Sequence, residues 1–205
     1  KGAMNYAFKL AEIFNTEVAF AKLPSIRNKP IDLDLNEMVA QFNPKSIVFK
    51  EIELGRIDKE PNNSIKQLDV VFLVSEFPSK NISGIFRKNL IFKLLYKAKV
   101  PSFLIGEHSA INCELKNIIV PVDYKKETKE KMIWASYFGR FNKAIIHLIV
   151  PKEKDESILR RIKATLLFTK KMYEQFNFDY RIVKTSSKSR DIKEESYLIS
   201  EQYKS

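Results

Sequence analysis

A single acidic side chain stands at the point where a buried strand gives way to a loop. Asp123 follows the apolar run 118–122, whose β-branched residues predict a strand that is buried on both faces. A carboxylate in that position can cap the next helix, or it can contact a ligand bound beyond the strand end. The sequence leaves both roles open and makes Asp123 the candidate ligand-binding residue.

Two histidines and one cysteine are further side chains that could do chemistry near neutral pH. His147 falls within an apolar run and His108 in a polar connection, and neither has a second metal ligand at a recognised spacing. Cys113 has no identifiable partner base for nucleophilic catalysis. A lone cysteine also excludes an internal disulfide and fits a reducing compartment, so we expect a cytoplasmic protein. We predict no metal site.

The chain shows none of the short motifs that mark common catalytic sites. It has no phosphate-binding P-loop, no nucleophile elbow, no His-Glu-x-x-His and no pair of carboxylates with a division into acid and base. Arg87 and Lys88 stand at the start of a predicted helix, where an anion can bind, but a solvent-exposed pair is the simpler interpretation. We therefore expect a protein that is not an enzyme.

Composition indicates an ordinary globular protein with a basic surface. The chain has 205 residues, of which 44% are hydrophobic and 30% charged, and a formal net charge of +11. That charge makes a nucleic-acid or membrane-surface binder an alternative. However, lysines occur along the whole chain, and in 125–131 and 152–155 they alternate with carboxylates, which favours a solvated surface. No apolar run approaches the ~18 residues of a membrane-spanning helix.

The first half is predicted to alternate helices with strands. Apolar residues at helical spacing predict helices over 4–14 and 85–98, with a short one over 35–42. Short apolar runs predict strands over 17–23, 46–54, 69–74 and 101–106. Such an order is typical of an α/β domain with a parallel sheet.

The second half repeats this alternation. Strands are predicted over 115–123, 144–150 and 178–184, and a helix over 127–141 connects the first two. Ser157 is predicted to cap a long helix, and a last helix should begin at Ser189 or Asp191.

The two halves resemble each other at a fixed distance. Ala7 and Ala135 occupy matching helical positions, which gives an offset of 128 (135 minus 7), and Phe20 then matches Leu148. At this offset the first half lacks a first strand, and the second half lacks its fourth and fifth. We therefore expect the 205 residues to be part of a longer product.

These residues resemble the universal stress protein family. The run NIIVPVD at 117–123, followed by a helix and an apolar strand, is similar to the start of such a domain, and 69–105 is similar to its end. The resemblance implies an α/β fold with an open parallel five-stranded sheet of order 3-2-1-4-5 and helices on both faces. It implies two tandem copies, residues 1–109 and 110–205, with sites beside Ser75 and Asp123.

Nucleotide-binding members of this family use the first-strand Asp and a glycine-rich loop after the fourth strand. Asp123 matches the first feature. In the first half, Val74, Phe77 and Lys88 stand about where glycines are expected, and Gly84 is alone. We therefore expect no family-type ATP binding in the first half, whereas ATP in the second half stays possible.

Three functions follow, in order of preference. The first is a non-enzymatic stress-response protein that acts through pairing of its halves or a homodimer, and through a protein partner or ligand. The second is an adenine-nucleotide sensor that uses Asp123. The third is the nucleic-acid or membrane-surface binder suggested by net charge.

Overall fold

A computed structural model describes residues 2–22, 49–53, 71–76, 91–97, 99–106 and 115–203. The chain divides into two compact units, Lys1–Cys113 and Glu114–Ser205. None of the helices within those described ranges is both long enough and apolar enough to cross a membrane. The short helix predicted over 35–42 lies outside the described residues.

The first unit opens with a helix that leads into a parallel strand pair. Helix α1 spans Gly2–Phe14 and strand β1 spans Val18–Lys22, as the apolar spacing predicts. The helix ends at Asn15, whose φ of 50° is left-handed, and the Thr16 N–H donates to the Ala11 carbonyl at 2.9 Å. Strand β1 pairs in parallel with β2, Phe49–Glu53.

A second parallel pair in this unit corrects one predicted boundary. Strand β3 spans Leu73–Glu76 and pairs with β4, Ser102–Ile105, so that Leu73 lies opposite Ser102. The prediction of a strand over 69–74 was therefore wrong in its bounds, because pairing with β4 rather than the apolar run fixes where the strand begins and ends. Ser75, expected just beyond that strand, lies inside it.

Aromatic contacts and a small cluster hold α1 in the first unit. The Phe72 ring lies 4.9 Å from Phe14 and 5.5 Å from Phe103, measured between ring centroids. Buried Phe8 and Ala11 pack against Val18 of β1. Residues 91–97 are helical, with Ile91 and Leu94 buried, which agrees with the helix that apolar spacing predicts over 85–98.

The second unit is a three-stranded parallel sheet with helices on both faces. Its strands are β5 (Asn117–Pro121), β6 (Ile145–Val150) and β7 (Tyr180–Lys184), in the order β5-β6-β7. Its helices are α2 (Thr128–Asn142), α3 (Glu156–Gln175) and α4 (Ile192–Gln202). These elements lie within one to two residues of most predicted bounds.

The core of the second unit follows from the alternation of side chains along β6. Ile146 and Leu148 point to one face, where they pack with Met132 of α2 and with Ile162 and Tyr173 of α3. On the other face, Ile149 packs with Ile192 and Ile199 of α4. The parallel α/β class is therefore confirmed.

The sheet sizes leave part of the fold prediction open. The described strands form sheets of two, two and three strands. The order β5-β6-β7 agrees with the 1-2-3 part of the expected order. The complete five-stranded sheet of order 3-2-1-4-5, present in two copies, stays a prediction.

The start of α3 corrects the predicted cap. Asp155, not Ser157, is the N-cap residue, and its Oδ1 accepts from the N–H groups of Ser157 at 2.8 Å and Ile158 at 3.0 Å. Both residue types are good caps, so the sequence pattern alone does not choose between them. The local backbone does, since Asp155 is extended and Ser157 is already helical.

Candidate functional site

The candidate site lies where β5 ends and the chain turns into α2. The Val122 N–H donates to the Ile149 carbonyl at 2.9 Å, so the chain stays beside β6 for one residue beyond the strand. Val122 is fully buried, and Asp123 retains only 5% exposure. A carboxylate is therefore held inside the unit at the carboxyl end of a parallel strand, where open α/β sheets bind ligands.

The Asp123 carboxylate is bound by the turn that follows it. Oδ1 accepts hydrogen bonds from the Lys125 N–H at 2.9 Å and from the Thr128 hydroxyl. Oδ2 lies 3.6 Å from Nζ of Lys131. Thr128 is the fully buried first residue of α2, so these contacts fasten the end of β5 to the first turn of the helix.

These contacts keep Asp123 ionised. Burial alone would raise the pKa of the carboxyl group, because it penalises the charged form. The hydrogen bonds from Thr128 and Lys125, together with the charge of Lys131, outweigh burial and leave the pKa below its ordinary value. At neutral pH the site therefore presents a carboxylate that accepts hydrogen bonds and cannot donate one.

The structure bears on the two roles considered for Asp123. The N-cap residue of α2 is Glu127, whose side chain makes no capping hydrogen bond. Asp123 supplies the anchoring from four residues earlier, through Lys125 and Thr128. Both hydrogen bonds go to Oδ1, and Oδ2 faces Nζ of Lys131 at 3.6 Å, so Oδ2 is the oxygen with a lone pair left for another donor. Ligand contact by Asp123 stays a prediction.

Thr128 and Lys131 belong to this site and were not predicted from the sequence. A threonine and a lysine, five and eight residues after a strand-ending Asp, are a weak signal by themselves. Their contact with Asp123 depends on the conformation of the turn at 124–127, which hydrophobic periodicity does not predict. The one signal in the sequence is that Thr128 stands at the expected start of a helix, where a hydroxyl commonly makes a polar contact.

The loops after β6 and β7 are held together by polar contacts on the same end of the sheet. The Lys152 N–H donates to the Ser187 carbonyl at 2.8 Å, and the buried Ser189 hydroxyl donates to Glu153 at 2.8 Å. Hydrogen bonds from the Lys154 N–H and from Ser189 lower the pKa of Glu153 to about 2. Glu153 is thus a second carboxylate that orders its own loop.

His147 is buried within β6 and fits the structural role that the sequence favours. Its Nε2 lies 2.9 Å from Oδ1 of Asn117, and its ring centroid is 4.2 Å from that of Tyr203. Burial, followed by the nearby positive charge of Arg181, lowers the pKa of the imidazole, which is therefore neutral at pH 7. Within the described ranges, no group of three or more potential metal ligands occurs.

Several other predicted positions cannot be placed or have changed context. His108, Cys113, Arg87 and Lys88 lie outside the described residues. Val74 lies inside β3 opposite Phe103, so it belongs to a strand rather than to a phosphate-binding loop. The remaining positions compared with the glycine-rich loop, Phe77 and Gly84, also lie outside the described residues.

Comparison with known proteins identifies a relative in fold. A solved universal stress protein from Archaeoglobus fulgidus DSM 4304 matches with a TM-score of 0.59 and 14% sequence identity. The match covers 97% of this chain and 77% of that chain. No protein-family model matches the sequence, and no match was found among the curated proteins. The chain therefore has a fold like that of a universal stress protein.

Proposed function

We propose that this chain is a universal stress protein-like protein that serves the stress response without catalysing a reaction, by pairing its domains and binding a partner or ligand. The observation that carries the proposal is the likeness to the Archaeoglobus protein, which extends over nearly the whole chain. Because the match covers 97% of the chain, it includes both compact units and not one of them alone.

The buried polar groups support a binding role rather than proton transfer. Asp123 is ionised and already accepts two hydrogen bonds, so at neutral pH it makes a poor general acid and a weak base. His147 is buried, neutral and engaged by Asn117. The pKa of each group is shifted away from neutrality, the direction opposite to what proton transfer to a substrate at neutral pH requires.

Backbone geometry supports the proposal of two related domains, 1–109 and 110–205. Asn15 and Lys143 both adopt left-handed φ angles, 50° and 51°, directly after their helices. They are separated by the same 128 residues (143 minus 15) that separate the matching apolar positions. In each case a parallel strand begins two to three residues later, Val18 in β1 and Ile145 in β6.

Pairing predicts a compact particle in solution. If the two domains pair within one chain, the radius of gyration should be about 17 Å, and a homodimer should give about 22 Å with twice the 23.9 kDa mass. Light scattering coupled to gel filtration would provide the mass, and small-angle X-ray scattering the radius. A monomer with two independently tumbling lobes would contradict pairing.

The stress role itself needs a cellular readout. A strain that lacks the gene should survive starvation, oxidant, acid or heat exposure less well than its parent, and the intact gene should restore survival. Unchanged survival under every condition would overturn the stress-response assignment even if the pairing result stands.

A second candidate function is adenine-nucleotide sensing at Asp123. The specific observation in its favour is the buried, ionised carboxylate at a strand end, whose Oδ2 is paired with Lys131 and has a lone pair left for another donor. A ribose hydroxyl is a donor that such an oxygen accepts, and a hydrogen bond to a charged group is worth ~1.5–3 kcal/mol.

Calorimetric titration of the whole chain with ATP and with adenosine tests this candidate. Asp123→Asn should weaken both by about tenfold, since the loss of ~1.5 kcal/mol corresponds to that factor. Asp179→Asn, which alters an exposed carboxylate, is the matched control and should leave affinity unchanged. The candidate fails if neither ligand binds, or if Asp123→Asn binds as well as the parent protein.

A further inference from the structure

The outward side of α3 carries a concentration of positive charge. Its inward side is buried through Ile162, Thr165, Thr169 and Tyr173. Five exposed cations lie on the remaining surface of the same helix, and we call this surface the basic face: Arg160, Arg161, Lys163, Lys170 and Lys171.

Acidic neighbours compensate only part of this charge. Glu156 lies 3.4 Å from Arg160, and Glu174 lies 3.7 Å from Lys170, both as exposed pairs one turn apart. Within the part of the chain that the structure describes, Arg161, Lys163 and Lys171 have no acidic partner. The basic face therefore offers cations to an external anion.

Exposed apolar side chains lie among these cations. Leu167 is 57% exposed, and Lys163 and Lys171 flank it at four residues on either side, one helical turn away. Phe168 is 36% exposed, and Nζ of Lys129 in α2 lies 5.4 Å from its ring centroid. The basic face thus continues onto α2 and has an apolar centre.

We propose that the basic face docks on the surface of an acidic lipid bilayer. Lysine and arginine close to an anionic headgroup layer are attracted to it, and apolar side chains between them enter the boundary between headgroups and acyl chains. The basic face supplies both components on one side of a folded helix.

The same features argue against a nucleic acid as the partner. Nucleic-acid backbones attract cations but make no favourable contact with an exposed Leu, and unpaired bases stack on open aromatic faces. Leu167 would stay in water in such a complex, and Nζ of Lys129 already lies over one face of the Phe168 ring, where a base would stack. The apolar centre is therefore used only when the partner has an apolar layer.

Vesicle sedimentation with the full chain tests the proposal. The protein should bind phosphatidylcholine vesicles that contain about one-third phosphatidylserine, should not bind pure phosphatidylcholine, and should lose affinity as salt rises. The double variant Lys163→Gln/Lys171→Gln should bind about twenty-fivefold more weakly, at about fivefold for each cation removed. Leu167→Gln should weaken binding by about fivefold without a change in charge.

A matched variant separates this surface from general charge. Lys188→Gln/Lys193→Gln removes two exposed lysines at the start of α4 and should stay within about twofold of the parent protein. Each variant must first show the same melting temperature as the parent protein. An equal loss in the matched variant would overturn the proposal, as would no binding to acidic vesicles. Tighter binding to a short DNA duplex, insensitive to Leu167→Gln, would overturn it in favour of a nucleic acid.

Discussion

Tyr173→Ala should lower the free energy of unfolding of the second unit by about 3–5 kcal/mol, as large aromatic truncations in cores do. Tyr173 is fully buried in α3, and its ring packs edge-on against Phe178 and Tyr180 at 5.6 Å between centroids. Its hydroxyl donates to the Met132 carbonyl of α2 at 2.8 Å. The Tyr173 side chain thus connects α3 with α2 and with β7.

Tyr173→Phe separates the two contributions. It keeps the ring and removes one buried hydrogen bond, so we expect a loss of about 1 kcal/mol. The chain has a single tryptophan, Trp134 in α2, and its fluorescence during urea unfolding reports on the second unit alone. Tyr197→Ala, at a position that is 65% exposed, is the control and should cost less than about 0.5 kcal/mol. Equal losses at positions 173 and 197 would contradict the packing of Tyr173 against Phe178 and Tyr180.

Asp123→Ala should lower the free energy of unfolding at pH 7 by about 2–3 kcal/mol. The substitution leaves the buried Thr128 hydroxyl and the Lys125 N–H without their acceptor, and an unsatisfied buried polar group costs ~1–3 kcal/mol. Asp123→Asn retains an acceptor oxygen and should lose about 1 kcal/mol, since only the charge is removed.

The effect of Asp123→Asn should depend on pH in a defined direction. The folded-state pKa of Asp123 lies below the unfolded value of about 3.9, so its ionisation stabilises the fold above that pH. This stabilisation is lost as pH falls through the folded-state pKa. Urea unfolding at pH 7 and near pH 3, followed by Trp134 fluorescence, should therefore show a smaller difference between parent and variant at low pH. A difference that does not change with pH would show that the charge contributes nothing.

The parts of the fold set by hydrophobic periodicity were predictable from the sequence. Met132, Ala135, Phe138 and Gly139 recur at helical spacing in the sequence, and all four are buried. Helix α2 differs from its predicted bounds by one residue, because its apolar positions recur at helical spacing and its ends meet polar turns. The strand over 144–150 was predicted equally well for the same reason.

The candidate site was only partly predictable. Asp123 was identified because it ends an apolar run. Its hydrogen-bond partners were not, because contacts across a turn depend on the backbone dihedral angles of the turn, which the spacing of apolar residues does not reveal. The basic face was missed for a related reason. Read linearly, the cations of α3 look scattered, and only the helical rotation places Lys163, Leu167 and Lys171 in one line.

The left-handed residues also show where stability can be gained. Asn15, Lys99, Lys143 and Asn177 precede β1, β4, β6 and β7, and none is a glycine. A residue with a Cβ is less stable in the left-handed conformation than in the right-handed one, and the cost is larger for Lys than for Asn. Glycine at Lys99 or Lys143 would relieve it, for a gain of about 1 kcal/mol after allowing for the freer unfolded chain. Substitutions at Lys99 and Lys143 are therefore expected to raise thermal stability without altering the core or Asp123.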